Sequence, residues 1–139
     1  PEVKAQICGL PLGSGRAQVC RAALESIGYQ VKDLVDAMVG SAGISLRELR
    51  VDGGPTKNRF LMQFQADLLG VPIVRSEVED ACAYGAFIMN GFARRKWKSF
   101  EEAAEHWSRV GDWSPQSGNE ARVASGYAGW REAVSQLIK

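Results

Sequence analysis

Between Leu46 and Val74 the hydrophobic period changes from that of a strand to that of a helix and back, and glycine stands at both changes. Leu46 to Asp52 reads as a strand, with Leu49 and Val51 on one face. Gly53-Gly54-Pro55 is a tight turn, and from about Thr56 to Leu69 the residues Phe60, Leu61, Phe64 and Leu68 recur at helical steps, turned inward. Gly70 ends that helix, and Val71-Pro72-Ile73-Val74 is a second short strand. A strand, a helix and a strand joined this closely predict an α/β domain with a mainly parallel sheet flanked by helices.

The flanking sequence extends the pattern. Val3 to Leu10 reads as a strand ended by the Pro11-Leu12-Gly13-Ser14-Gly15 turn. Arg16 to Val39 is expected to be helical, with Val19, Ala23, Ile27, Val31, Leu34, Val35 and Met38 in one apolar stripe and Gly40 and Gly43 as its stop. A helix over about Ala81 to Phe92 carries the small residues Ala81, Ala83, Gly85 and Ala86 on a face that could approach other backbone closely. Phe100 to Trp107 reads as a short helix and Gly111 to Asn119 as a loop. Glu120 to Ile138 closes the chain as an amphipathic helix with Val123, Tyr127, Trp130, Val134 and Leu137 in a stripe; docking onto the domain's own core is the simpler use of that stripe, a partner surface the alternative. Three strands are few for a sheet covered on both faces, so part of the sheet is expected to come from neighbouring chain. The opening Pro1-Glu2-Val3, without methionine, leads to the same expectation of a piece of something longer.

Charge and cysteine usage narrow the function classes. The chain has 139 residues, enough for one domain with a core, and 17 basic against 16 acidic side chains give a net charge of +1. That balance argues against nucleic acid or an anionic membrane as partner. The run Arg94-Arg95-Lys96 with Lys98 reads as a solvated helix end. No apolar run approaches the roughly 18 residues that span a bilayer, and no leader pattern stands at the N-terminus. Cys8, Cys20 and Cys82 are widely spaced among apolar neighbours, the pattern of reduced, buried thiols in a cytoplasmic protein. With His106 the only histidine and no Cys-x-x-Cys pair, neither a metal site nor a histidine-assisted nucleophile is expected; His106 beside Trp107 reads as structural.

The Gly53-Gly54 turn carries the chemistry. Ligands of parallel α/β sheets gather at the carboxyl ends of the strands, where this turn lies. Two successive glycines admit positive φ and close approach of a bulky anion, and the helix behind them offers unpaired N–H groups. Asn58, in the first turn of that helix, can donate to and accept from a heterocycle edge. On the motif alone, a plain strand-to-helix connection is the simpler reading. The turn is neither a Walker P-loop nor a Rossmann fingerprint. Lys57 suits a phosphate or, more simply, solvent; Asp52 could hold a metal-bound water or, as preferred, cap a helix or turn.

Two stretches resemble a known family. The first is Ala5-Gln6-Ile7-Cys8-Gly9-Leu10 with Gln18-Val19-Cys20-Arg21-Ala22-Ala23-Leu24-Glu25, continued by Ser26-Ile27-Gly28-Tyr29-Gln30. The second is Val51-Asp52-Gly53-Gly54-Pro55-Thr56-Lys57-Asn58 with Phe60-Leu61-Met62-Gln63-Phe64-Gln65-Ala66-Asp67. Together they are similar to the second signature and the adenosine motif of the FGGY carbohydrate kinases, most closely the branch acting on glycerol. The likeness continues through Val74-Arg75-Ser76-Glu77, Ala83-Tyr84-Gly85-Ala86, Phe100-Glu101-Glu102 and Tyr127 to Val134, so it covers nearly the whole chain. It departs at Asp80-Ala81-Cys82-Ala83-Tyr84, where the family commonly carries hydroxyl residues and no bulky tyrosine.

The resemblance implies a partial actin-like (ribonuclease-H-like) ATPase domain, with residues 1–139 as the C-terminal portion of the nucleotide-side domain. It implies ATP-dependent phosphorylation of a polyol or sugar hydroxyl, glycerol first. A xylulose- or gluconate-type kinase and a non-catalytic actin-like nucleotide-binding module are the alternatives. Gly53 and Gly54 would present backbone to the adenosine and α-phosphate of ATP or ADP, and Asn58 would contact the adenine. Ala83 and Gly85 would belong to a small-residue helix packed near the same site. Mg2+ would arrive with ATP and be held mainly by groups elsewhere. The catalytic aspartate, the acceptor-binding residues and both phosphate hairpins lie upstream in this family, so these residues alone are expected to be inactive. Apolar surface left bare by the rest of such a kinase would favour self-association as a homo-oligomer.

Overall fold

In the computed structural model, residues 5–104 and 108–137 are described. Their order is α1 (Arg16–Ala42), β1 (Leu49–Val51), a 3₁₀ turn (Gly54–Lys57), α2 (Arg59–Leu69), β2 (Ile73–Ser76), α3 (Ala81–Ala93), α4 (Phe100–Ala104), β3 (Arg109–Trp113) and α5 (Glu120–Leu137). The architecture is mixed α/β, rich in helix.

The strand–helix–strand unit forms as its periodicity requires. β1 and β2 pair in parallel, with Leu49 opposite Ile73 and Val51 opposite Arg75. α2 connects them, ended by Gly70 in the left-handed conformation at φ 69°. The helix is buried almost all round, which fits a helix with core on both sides. On one side Leu61, Met62 and Ala66 pack with Ile73, with Leu49, Val51 and Trp113 against them. On the other, Phe64 and Leu68 meet Tyr29 of α1 and Val123 of α5, flanked by Tyr127 and Trp130. Burying a side chain such as Leu61 or Ile73 contributes about 1.5–3 kcal/mol, so α2 is the element whose loss would dissolve both clusters. Its one buried acid is satisfied. Asp67 accepts from Gln63 Nε2 at 2.9 Å, the Gln116 N–H at 2.8 Å and Asn119 Nδ2 at 2.7 Å, which fastens the loop before α5 to the helix.

Several expectations are corrected. The sheet is not mainly parallel: β3 adds to β2 in the antiparallel sense, with Ile73 opposite Trp113, so one pairing is of each kind. β3 takes up Gly111, Asp112 and Trp113, which read as loop because Gly and Asp are poor strand formers. Of the expected strand from Val3, Ala5 to Leu10 is not a strand and pairs with none of β1, β2 or β3; Val3 and Lys4 lie outside the described residues. α1 runs on through Gly40 and ends at Gly43, φ 64°. Its apolar stripe is not core: Ile27, Leu34 and Met38 are exposed, and only Gly28 and Tyr29 are buried. At 1.5 Å per residue, α1 is about 40 Å long and α2 about 16 Å, so much of α1 passes beyond the helix that could cover it. Phe60 faces outward, while Leu61, Phe64 and Leu68 point in as expected. Cys8, Cys20 and Cys82 are all exposed rather than buried. The expected helix over Phe100 to Trp107 is seen to Ala104; His106, Trp107 and Ile138 lie outside the described residues.

Candidate functional site

Because β1 and β2 are parallel, the segments that leave their carboxyl ends emerge side by side. After β1 the chain enters Asp52-Gly53 and the 3₁₀ turn; after β2 it runs through Glu77 to Asp80 into α3. Gly53 adopts φ 83°, a conformation that L side chains rarely take, and this lets the chain reverse directly off the strand. The turn is then fixed from within. Thr56, buried at 5% exposure, donates its hydroxyl to the Gly53 carbonyl at 2.7 Å, and its N–H donates to the same oxygen at 3.1 Å. Pro55 sits near the start of the 3₁₀ turn, where its fixed φ fits and its missing N–H costs nothing.

Asn58 closes the turn and opens α2. Its Oδ1 accepts from the Leu61 N–H at 3.1 Å as the helix N-cap. The side-chain oxygen is therefore committed, while Nδ2 makes no hydrogen bond to the described residues. Asn58 is half-buried, Gly54 is exposed, and a Cβ built on Gly54 would meet nothing within 4 Å. The arrangement offers an open backbone ledge with a side-chain donor beside it, which suits the flat edge and ring face of a purine. Gly53, Gly54 and Asn58 are thus brought together by one turn of chain.

Lys57 and Asp52, the two charged residues flanking the glycines, are both engaged. Lys57 Nζ lies 2.8 Å from Glu79 Oε1, and the hydrogen bond and charge of Lys57 hold the Glu79 carboxyl below its usual range, with Arg75 adding to the effect. Lys57 is exposed, as the simpler reading had it, and its charge is met by Glu79. Asp52 is a cap, but of a distant helix: its Oδ2 accepts from the Ala81 N–H at 3.1 Å, at the start of α3. Asp80 caps the same helix through the Ala83 N–H at 2.9 Å. Sequence reasoning missed the Asp52–Ala81 and Lys57–Glu79 links, since neither follows from local spacing. A cap at Asp80 could have been found from the aspartate standing just before an apolar helix.

Ala83 and Gly85 do not pack closely here. Both are exposed, and a Cβ on Gly85 would meet nothing within 4 Å. A cleft of about 60 Å³ beside the turn is lined by Gly53, Thr56, Lys57 and Arg75 among others. The larger groove, about 670 Å³, lies between residues 5–8, α1 and α5, and none of Gly53, Gly54 or Asn58 lines it. Its wall is mostly apolar and its one charged lining residue is Glu25, which offers nothing to a phosphate. Among the described residues no group of three or more His, Cys, Asp or Glu could hold a metal ion, and no helix is long and apolar enough to cross a membrane.

Residues 1–94 match the C-terminal domain of the FGGY family of carbohydrate kinases. A glycerol kinase of Bacillus velezensis is 44% identical over 137 residues, covering 99% of this chain and 27% of its own length. The crystal structure of Plasmodium falciparum glycerol kinase with ADP superposes with a TM-score of 0.83 at 26% identity, over 99% of this chain and 28% of that one. A xylulose kinase from Rhodospirillum rubrum shares the fold, with a TM-score of 0.80 at 18% identity over 99% of this chain and 28% of that one. The chain therefore spans about a quarter of the length of the relatives it matches. With two thirds of its residues matched to that domain, the chain belongs to the FGGY family of carbohydrate kinases.

Proposed function

We propose that residues 1–139 are the C-terminal portion of the nucleotide-side domain of an ATP-dependent polyol kinase, and that glycerol is the acceptor of the whole enzyme. The reaction is then ATP plus glycerol to ADP plus glycerol 3-phosphate. The observation that carries this reading is the turn from Val51 to Asn58 at the carboxyl end of a parallel strand, in a chain 44% identical to a glycerol kinase. Gly53 and Gly54 present backbone to the adenosine and α-phosphate. Asn58, with Oδ1 used as a cap, turns Nδ2 to the adenine. The preference for glycerol over a xylulose- or gluconate-type acceptor rests on that sequence identity, since the likeness to the xylulose kinase, at 18% identity, speaks only for the fold.

Phosphoryl transfer depends on an aligned acceptor and on neutralising charge at the transferring group. The chain's own residues supply the adenine end of that alignment. Mg2+ accompanies ATP and is held mainly by groups outside this chain, as are the catalytic aspartate and the phosphate hairpins. The enzyme works in the cytoplasm, where ATP is abundant. Titrating ADP into the labelled chain should shift the amides of Gly53, Gly54 and Asn58 before others. Unmoved amides at millimolar ADP would sink the nucleotide reading. Incubated with ATP and glycerol, the pure 139-residue chain should form no glycerol 3-phosphate. Measurable turnover would show that the catalytic groups are misassigned.

A further inference from the structure

The turn after β1 is tied to the helix after β2 by a hydrogen bond that neither needs for its own shape. Asp52 Oδ2 accepts from the Ala81 N–H at 3.1 Å, across 29 positions of sequence. α3 already has a local cap in Asp80, which accepts from Ala83 at 2.9 Å. The turn is likewise braced internally by Thr56 on the Gly53 carbonyl. The remaining link between the two segments, Lys57 with Glu79, joins side chains that are 63% and 77% exposed, where an ion pair constrains little. Asp52 is exposed as well, but its carboxylate accepts from a backbone N–H fixed at a helix N-terminus, where the dipole favours it, so it constrains the turn more than two mobile side chains do.

Asp52 is also the residue directly before Gly53, whose φ of 83° sets the direction of the turn. Neither Gly53 nor Gly54 has a side chain to hold that direction against its surroundings. We propose that Asp52 is a positioning residue for nucleotide binding: by bonding the start of α3, its carboxylate fixes the Gly53-Gly54 backbone where the ligand needs it. The proposal rests on the nucleotide reading above. Without the tie, the two glycines would have to be ordered when the nucleotide arrives, and affinity would fall.

Three variants of the 139-residue chain, Asp52→Ala, Asp52→Asn and Asp80→Ala, test this through ADP affinity by calorimetry and amide exchange without nucleotide. Asp52→Ala should speed exchange at Ala81 and Thr56 and weaken ADP binding about five- to tenfold. Asp52→Asn keeps a side-chain oxygen for the Ala81 N–H but not its charge, and should weaken ADP binding less than Asp52→Ala, by about two- to threefold. Asp80→Ala should lower the melting temperature through α3 yet leave ADP affinity within about twofold. Unchanged affinity in Asp52→Ala, or an equal loss in Asp80→Ala, would overturn the positioning role while the nucleotide reading stands. If the parent chain binds no ADP, the nucleotide reading and the role built on it both fail, and faster exchange at Thr56 in Asp52→Ala would leave only the structural tie.

Discussion

Tyr127 donates its hydroxyl to Asp33 Oδ1 at 2.5 Å, joining α5 to α1 across 94 positions of sequence. Trp130 donates Nε1 to the other carboxylate oxygen at 2.9 Å. Its ring also stacks on Tyr29, centroids 5.7 Å apart, and Tyr29 meets the edge of Phe64 on α2 at 5.4 Å. Asp33, itself exposed on α1, thereby orients the two aromatic residues that seal the three-helix cluster.

The Asp33–Tyr127 bond makes stability depend on pH at the alkaline end. The hydrogen bond to Asp33, followed by burial and the nearby negative charges, pushes the Tyr127 phenol up to about 12 from its ordinary value of 10.0. A group whose folded pKa is raised contributes stability that is complete below its unfolded pKa and is lost as pH rises through the folded value. Tyr127→Phe should therefore cost about 0.5–1 kcal/mol at pH 8, a hydrogen bond discounted for solvent screening. The gap between parent and variant should persist to about pH 10 and close towards pH 12. Urea midpoints measured across that range check it; a gap independent of pH would mean that the bond does not form in solution.

Gly28 lets α1 and α2 touch. A Cβ there would lie 2.7 and 2.8 Å from two ring carbons of Phe64, itself only 2% exposed. Overpacking of this kind costs about 1–3 kcal/mol, and the better helix propensity of alanine returns at most about 1 kcal/mol. Gly28→Ala should lower the melting temperature by roughly 3–6 °C. Gly40→Ala, on the same helix but with nothing within 4 Å of the new Cβ, should raise stability by about 0.5–1 kcal/mol. If both substitutions stabilise the chain, the helices do not approach as closely as described.

What could be read in advance follows from how local each cause is. The α2 segment announced itself because its period, its terminal Gly70 and its flanking strands all agreed, and Leu61, Phe64 and Leu68 are indeed core. The Gly53-Gly54 turn was legible as a turn, with positive φ at Gly53, for the same reason. The α1 stripe misled because periodicity reveals which residues share a face, and a face becomes core only where something covers it. β3 was invisible because Gly111 and Asp112 have no strand preference of their own; the open edge of β2 and the packing of Trp113 make it a strand. The ties from Asp52 and Asp33 connect residues far apart in sequence, so no window of sequence contains both partners.

The exposed cysteines give a direct test of accessibility. Cys8, Cys20 and Cys82 all stand at the surface, so a thiol reagent should titrate three groups in the native chain without denaturant. Slow reaction that urea accelerates at any of them would place that thiol in a covered site, as the apolar neighbours in the sequence suggested. Alkylation of Cys82, one residue into α3, should leave the melting transition nearly unchanged.

Asn58 has two duties that a single substitution can separate. Its Oδ1 caps α2 through Leu61, and in the nucleotide reading proposed above its Nδ2 is the donor to the purine. Asn58→Asp keeps an acceptor for the Leu61 N–H and adds a charge that the helix N-terminus favours, so stability should hold or rise by a few tenths of a kcal/mol. The same change removes the Nδ2 donor and sets a negative charge where the ligand is proposed to lie, so ADP affinity should fall at least about tenfold. Asn58→Ala should lose both, with about 1 kcal/mol of stability going with the cap. Calorimetric affinity and a thermal melt on each variant read the two duties independently. Full ADP affinity in Asn58→Asp would show that Asn58 serves the fold alone and that the adenine is recognised elsewhere.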